Sequence, residues 1–276
     1  MNLIIQAPRL ADADVAALAR LCAPSPAVPI GANAVRFAGA AATAEVVAYC
    51  GSHALDFAIV PDERRLDRVG LVAMDMDSTL ITIECIDEIA DMLGIKPQVA
   101  AITASAMRGE IDFAESLRRR VGLLAGLEIA ALERVYDERL RLSPGAEAML
   151  AAFKAVGATT VLVSGGFTFF TDRLRARLGL DHTASNVLDV HDGRLTGKVL
   201  GGIVDAAVKA QTVRALRDRP GMAGKLTVGI GDGANDLPML AVADVSVAYH
   251  AKPVVRERAT CRIDHCGLDG VINLFA

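Results

Sequence analysis

The chain lacks the excess of positive charge that proteins binding nucleic acid carry. Its 276 residues include 29 Lys and Arg against 33 Asp and Glu, a formal net charge of −4, and the basic residues are dispersed apart from three arginines at 118–120. Such a chain offers no basic stripe to a phosphate backbone. No apolar run approaches the length that spans a bilayer, and no basic segment precedes an apolar one at the N-terminus. These absences predict a cytoplasmic protein that binds neither nucleic acid nor a membrane.

Cysteine patterns typical of zinc sites are also missing. Five cysteines are present, but Cys261 and Cys266, even with His265 beside them, do not have the spacing of zinc ligands. An odd number of cysteines in a chain of this length indicates buried, reduced thiols in a reducing compartment. Hydrophobic residues make up 53% of the chain, which suffices for one large domain and a smaller one.

A polar stretch at 61–68 separates an Ala-rich first segment from the rest, and we place a domain boundary at residue 68. Before it, apolar periodicity predicts strands at 3–6 and 34–38 and helices at 12–21 and 43–54. This pattern resembles an incomplete α/β sandwich of the ferredoxin-like kind, or a truncated ACT-type domain. Residues 1–68 are therefore a candidate regulatory or dimerising unit, and dimerisation would make the protein a homodimer.

Strands and helices alternate in the larger domain, residues 69–276. Apolar runs predict strands at 71–74, 159–163, 226–230 and 245–248. This alternation predicts an α/β fold with a doubly wound parallel sheet. Residues 84–142 are helical in pattern throughout and too long for a single crossover, so they are predicted to be an inserted helical cap. Alternating residues on either side of Asp192 and Gly193 predict a β-hairpin.

Two aspartates one residue apart, Asp75 and Asp77, follow the first of these strands. Residues at this spacing share a face of a strand unless a turn fans them open. In either arrangement two like charges share one site at the carboxyl end of the strand. Such a pair binds a cation, performs acid–base chemistry, or does both.

Two further strands also run into polar motifs at their carboxyl ends, where open α/β sheets bind their ligands. Ser164 precedes two glycines, whose backbone N–H groups can close around an anion. Asp232, Asn235 and Asp236 supply hard oxygen ligands suited to Mg²⁺. Lys209, at the start of an amphipathic helix, adds an ammonium group for phosphate oxygens. The combination predicts a phosphate and metal site.

Phosphate monoesters hydrolyse extremely slowly in water, so their hydrolysis requires charge neutralisation and a strong nucleophile. A carboxylate can attack phosphorus and form an aspartyl phosphate, which divides the displacement into two steps. A second carboxyl group must then protonate the leaving alkoxide, and a neighbouring charge must raise its pKa for that task. We assign Asp75 as the nucleophile and Asp77 as the acid and base.

These motifs in this order, from residue 71 to the C-terminus, resemble those of the haloacid dehalogenase-like phosphohydrolases. The resemblance implies that Asp75 is phosphorylated and that Asp77 donates and then accepts the proton. It also implies that Mg²⁺ binds the Asp75 side chain, the Asp77 backbone carbonyl and Asp232. The residues it assigns to the phosphate are Ser164, Gly165 and Lys209, with Asn235 on the phosphate or on the attacking group.

Two cap segments, 84–90 and 107–121, are similar to the phosphoserine phosphatase family within that superfamily. This similarity implies a small-molecule substrate, O-phospho-L-serine, and the last step of serine biosynthesis. Glu84 and Arg120 match the positions that bind the ammonium and the carboxylate, and Phe113 matches an apolar lid. The alternative for Glu84 is a role in the first turn of a helix, where the helix dipole favours an acid, and Phe113 suits the core as well as a lid. Another small phosphomonoester, or phosphate transfer to an acceptor, is the alternative reaction.

Overall fold

A small antiparallel β-sheet is formed by the N-terminal part of the chain. The computed structural model describes residues 1–275. The elements of this unit are β1 (Asn2–Gln6), α1 (Asp12–Leu21), β2 (Ala27–Gly31), β3 (Ala34–Ala38), α2 (Ala44–Ser52) and β4 (Asp56–Val60). The strands lie in the order β2-β3-β1-β4 and pair antiparallel. This succession and order are those of a ferredoxin-like unit.

The prediction that this unit is incomplete is wrong, because β2 and β4 complete its sheet. β2 is an edge strand that contains Pro29 and has mostly exposed or half-buried residues. Proline and exposure both weaken the sequence signal of a strand. β4 begins at Asp56, only two residues after the end of the predicted helix at residue 54. The sequence pattern therefore did not separate this strand from the helix before it.

Both faces of the small sheet are covered. Leu3 and Ile5 of β1 pack with Leu18 of α1 and Val46 of α2. Ile4 points to the opposite face, as strand alternation requires, and belongs to the main hydrophobic core. The N-terminal unit is therefore packed against the larger part of the molecule through the sheet face that its helices leave open.

The larger sheet has seven strands in the order β11-β10-β9-β5-β6-β7-β8. These strands are β5 (Val69–Met74), β6 (Thr159–Phe167), β7 (His182–His191), β8 (Arg194–Leu200), β9 (Leu226–Gly231), β10 (Val245–Tyr249) and β11 (Cys261–Ile263). All neighbouring pairs are parallel except β7 and β8. The predicted α/β class with a parallel sheet is confirmed. The short strand β11 was not predicted.

Alternate residues of β5 pack into two apolar layers on opposite sides of this sheet. Val72 and Met74 belong to one buried cluster, and Leu71 and Ala73 to another. The predicted hairpin is formed by β7 and β8, and both turn residues, Asp192 and Gly193, have positive φ. Such a two-residue turn matches the right-handed twist of the strands.

The segment between β5 and β6 contains five α-helices. They are α3 (Cys85–Met92), α4 (Lys96–Met107), α5 (Phe113–Gly122), α6 (Ile129–Arg134) and, after them, α7 (Ala146–Ala155). Ile81 and Leu142 form an isolated antiparallel bridge. This bridge joins the two ends of the segment predicted to be an inserted cap. The predicted boundary at residue 68 lies between β4 and β5, and the division into domains stays a prediction.

The remaining helices connect the strands of the large sheet. They are α8 (Thr168–Leu178), α9 (Ala206–Arg217), α10 (Leu237–Leu240) and α11 (Pro253–Arg256). Asp205 caps α9 by accepting a hydrogen bond from the backbone N–H of Val208 at 2.9 Å. Over residues 1–275, no helix combines the length and the apolar character needed to cross a membrane.

Candidate active site

Asp75 and Asp77 lie in the turn that follows β5, the central strand of the large sheet. The backbone N–H of Asp75 still pairs with β9, donating to the carbonyl of Ile230 at 3.0 Å. The chain then opens into a wide turn, which the Leu80 N–H closes on the Asp75 carbonyl at 3.3 Å and in which Ser78 adopts φ 55°. Both aspartates line one cavity of about 320 Å³.

All the predicted site residues except Lys209 and Asp236 line this cavity. Lys209 lies directly behind it, only 1% exposed, and its Nζ is 2.7 Å from Asp75 Oδ1 and 2.8 Å from Asp236 Oδ1. The structure thus brings the residues of the three strand-end motifs together with the lysine of α9. Their individual roles stay predictions.

Asp232 and Asp236 follow β9 and lie beside Asp75. The Thr79 hydroxyl donates to Asp232 Oδ1 at 3.1 Å. Asp236 Oδ2 accepts the backbone N–H groups of Asp232 at 3.2 Å and Gly233 at 3.0 Å. Carboxylate oxygens of Asp75, Asp232 and Asp236 all lie within 4.8 Å of one another. Three buried acids therefore lie together, and the single buried lysine pairs with two of them, Asp75 and Asp236.

Burial and neighbouring charges shift the pKa values of these groups. Burial, with the charge of Asp236 as the next cause, raises the pKa of Asp75 well above its ordinary value and that of Asp232 to about 6. Burial and then the charge of Glu84 raise the pKa of Asp77 to about 7. Burial disfavours the charged form of Lys209, but Asp75 and Asp236 outweigh it and raise its pKa. The site favours protons or a cation among its carboxylates.

The carboxyl-terminal part of β6 approaches the two aspartates closely. Ser164 Oγ accepts the backbone N–H of Gly166 at 2.9 Å. A Cβ atom on Gly166 would lie 3.0 Å from Asp77 Oδ2, and one on Gly165 would lie 3.0 Å from Phe113 Cζ. A side chain at either position would press against the walls of the cavity.

The cap supplies an acidic and a basic side chain to the same cavity. Glu84 immediately precedes α3, and its Oε1 accepts a hydrogen bond from the Ser78 hydroxyl at 2.8 Å. Arg120 lies on α5, half buried, and its Nε donates to the carbonyl of Ser116 at 3.4 Å. Burial raises the pKa of Glu84 and lowers the pKa of Arg120. Phe113 lies at the start of α5, lines the same cavity and approaches Gly165 closely.

Two residues that contribute to the site were not predicted from the sequence. Lys252 lines the cavity, and its backbone N–H donates to the Asp232 carbonyl at 3.0 Å. It follows β10, so the rule that ligands bind beyond the carboxyl ends of parallel strands could have found it. Cys85 donates its backbone N–H to Asp77 Oδ1 at 3.1 Å, and no pattern in the sequence signals that contact.

The fold and the position of this site define the class of protein. A model of the haloacid dehalogenase-like hydrolase family matches residues 72–241. The chain therefore belongs to the haloacid dehalogenase-like hydrolase family and is an enzyme.

Within that family the chain is similar to phosphoserine phosphatases. It is 51% identical over 221 residues to the phosphoserine phosphatase of Polaromonas sp., a match covering 78% of this chain and 94% of that protein. The crystal structure of a probable phosphoserine phosphatase from Vibrio cholerae matches with a TM-score of 0.87 and 38% identity, covering 99% of this chain and 85% of that one. A crystal structure of a HAD family hydrolase from Salmonella enterica serovar Typhi matches with a TM-score of 0.88 and 37% identity, covering 100% and 99%. These two structures match the N-terminal unit as well as the large sheet.

Proposed function

We propose that this enzyme hydrolyses O-phospho-L-serine to L-serine and phosphate, the last step of serine biosynthesis, through an aspartyl phosphate on Asp75. One observation carries the proposal: a single cavity is lined by a pair of carboxylates suited to phosphoryl transfer and by Glu84 and Arg120, which suit an amino acid. The 51% identity with the Polaromonas phosphoserine phosphatase supports the same substrate.

In the first step a carboxylate oxygen of Asp75 attacks phosphorus, and the bond from phosphorus to the ester oxygen breaks. The leaving alkoxide takes the proton of Asp77 and becomes the hydroxyl of serine. Burial and Glu84 raise the pKa of Asp77 to about 7, which keeps a proton available there near neutral pH. Lys209, Ser164 and the backbone N–H of Gly165 hold the phosphoryl oxygens.

In the second step Asp77 acts as a base. It takes a proton from water, and the water oxygen attacks the phosphorus of the aspartyl phosphate. The bond from phosphorus to the Asp75 oxygen breaks, which releases inorganic phosphate and restores the Asp75 carboxylate. Asn235 lines the cavity and is proposed to hold the phosphate or the attacking water.

The buried acidic cluster fits a divalent cation such as Mg²⁺. Its oxygens lie within 4.8 Å of one another, and hard carboxylate oxygens are the ligands that Mg²⁺ prefers. Asp236 is already engaged by Lys209 and by backbone N–H groups. As the resemblance to the family implies, Asp75 and Asp232, with the backbone carbonyl of Asp77, would hold the ion. When bound, Mg²⁺ supplies positive charge that neutralises the phosphate oxygens and keeps Asp75 ionised.

The cap residues account for the choice of substrate. Phosphoserine carries an ammonium and a carboxylate in addition to its phosphate. A carboxylate at Glu84 suits the ammonium, and a guanidinium at Arg120 can bind the carboxylate in a bidentate manner. A sugar phosphate offers neither charge.

The N-terminal unit contributes no side chain to the cavity among residues 1–275, whose lining begins at Asp75. A regulatory or dimerising role for this unit stays a prediction, as does a cytoplasmic location. The sheet face opposite its helices is covered by the core. A partner would have to contact α1, α2 or the edge strand β2.

The substrate is tested by phosphate release, in the presence of Mg²⁺, from four esters that differ in charge. These esters are phosphoserine, phosphoethanolamine without a carboxylate, phosphoglycolate without an amine, and a sugar phosphate. Glu84→Gln should raise KM about tenfold or more for phosphoserine and phosphoethanolamine only. Arg120→Met should raise KM only for phosphoserine and phosphoglycolate. Equal changes for all four esters would reject phosphoserine as the substrate. Phosphomonoester hydrolysis would remain the proposed reaction.

A further inference from the structure

A buried amide side chain joins two segments that border the phosphate-binding part of the cavity. Asn186 lies on β7 and is 1% exposed. Its Nδ2 donates to the carbonyl of Gly165 at 2.8 Å, and its Oδ1 accepts the backbone N–H of Val204 at 2.8 Å. A carbonyl partner requires N–H and an N–H partner requires oxygen, so the partners settle the orientation of the amide. Both ends of this side chain hold backbone groups of other segments.

The first of these segments is the carboxyl-terminal part of β6, which contains Gly165. The regular pairing of β6 with β7 is interrupted between Val163 and Phe167, so the strand ladder does not hold the intervening residues in place. Asn186 supplies a partner for the Gly165 carbonyl within this interruption. On its other side the segment packs closely against the turn after β5, where a Cβ on Gly166 would lie 2.8 Å from Met76 Cε.

The second segment leads into α9. Val204 is buried and directly precedes Asp205, the capping residue of that helix. The carbonyl of Asp205 accepts the backbone N–H of Lys209 at 2.9 Å. Lys209 therefore lies in the first turn of a helix whose start is held by Asn186, and its Nζ reaches Asp75 from there.

We propose that Asn186 is a positioning residue for phosphate binding. It fixes the backbone of Gly165 relative to the start of α9, so that Ser164 and Gly165 hold the phosphate on one side while Lys209 holds it on the other. This inference rests on the phosphate-binding roles proposed above. Asparagine suits the position because its amide presents a donor and an acceptor at once, whereas aspartate would place an oxygen against the Gly165 carbonyl.

The test measures the binding of inorganic phosphate in the presence of MgCl₂ by titration calorimetry, together with kinetics and thermal unfolding. Asn186→Asp keeps the shape of the side chain and removes its donor, and Asn186→Ala removes both hydrogen bonds without adding charge. Each should weaken phosphate binding about tenfold. Each should also raise KM by the same factor for phosphoserine and phosphoglycolate, because both carry the phosphate.

The matched control is Thr160→Val. The Thr160 hydroxyl joins β6 to Asp181, just before β7, at the opposite end of the same strand pair, with a hydrogen bond of 2.9 Å. This variant should lower Tm and leave phosphate binding unchanged. If it weakens phosphate binding as much as the Asn186 variants do, the role of Asn186 is structural only and the inference is wrong.

Ser164→Ala separates this inference from the proposed function. If Ser164→Ala weakens phosphate binding and the Asn186 variants do not, the positioning role is rejected and the phosphate site stands. If neither change affects phosphate binding, the phosphate-binding roles themselves are wrong, and the inference falls with them.

Discussion

Two buried aspartates in different regions of the molecule have opposite surroundings. Asp56, 3% exposed on β4, lies where the N-terminal unit meets the large sheet and accepts three backbone N–H groups, from Asp264 at 2.8 Å, His265 at 3.1 Å and Cys266 at 2.8 Å. Asp75, 5% exposed at the end of β5, shares Lys209 with Asp236 and lies close to Asp232 as well. Backbone N–H groups therefore surround the carboxylate of Asp56, whereas other carboxylates surround that of Asp75.

This difference separates a buried charge that holds a structure together from one that performs chemistry. A buried carboxylate costs little when backbone donors surround it, and it then fixes the segments that supply them. A cluster of carboxylates with too few donors or cations has strongly perturbed pKa values, and such groups concentrate at functional sites. We therefore expect Asp56 to determine stability and Asp75 to determine activity.

The largest effect is expected for Asp75→Asn. The variant removes the nucleophile, so phosphate release should fall by about 10³-fold or more. The Tm of the metal-free protein should not fall, because one charge leaves a crowded cluster while Lys209 keeps Asp236 as a partner. Phosphate release and thermal unfolding measure the two quantities. A residual rate within tenfold of the parent enzyme would reject Asp75 as the nucleophile.

The opposite result is expected for Asp56→Ala. Three buried N–H groups lose their acceptor, which should lower the free energy of unfolding by about 3 kcal/mol. The kcat and KM of the folded enzyme should stay unchanged. Urea unfolding and steady-state kinetics provide the measurements.

Asp62→Ala is the matched control for Asp56→Ala. Asp62 is an exposed carboxylate of the same unit and pairs with the N-terminal amine at 2.9 Å. Exposed ion pairs contribute little to stability, so the urea midpoint should not move. Equal losses in both variants would remove the contrast between the two kinds of charge.

The smallest effect concerns pH and Mg²⁺. In the folded protein burial raises the pKa of Asp77 to about 7 and that of Asp232 to about 6. The folded state therefore retains protons that the unfolded chain has released, and the stability of the metal-free protein should fall as the pH rises from about 4 to about 7. Mg²⁺ should replace these protons, so it should raise Tm by a few degrees more at pH 7.5 than at pH 5.

The control for the Mg²⁺ effect is Asp232→Asn, which should lose most of the Mg²⁺-induced rise in Tm at pH 7.5. Asp56→Asn should keep it, since Asp56 lies outside the acidic cluster. A rise in Tm that is independent of pH would show that the cluster does not exchange protons for the ion.

Much of the large sheet could be predicted from the sequence because its signals are local. The buried run of β5 and the turn residues Asp192 and Gly193 specify a strand and a hairpin without reference to the rest of the chain. The signals of β2 and β11 are weak, since one is an exposed edge strand with a proline and the other has three residues. These strands depend on the neighbours with which they pair.

The sequence by itself determined which chemical groups stand at the ends of the strands. Parallel strands bring their carboxyl ends to one edge of a sheet, so polar residues directly after Met74, Val163 and Gly231 had to meet there. Only the tertiary structure decided that Lys209 lies against Asp75, that Asn186 joins Gly165 to Val204, and that Asp56 reaches the loop after β11. Such contacts join residues far apart in the chain. They depend on strand register and helix placement, which no local pattern specifies.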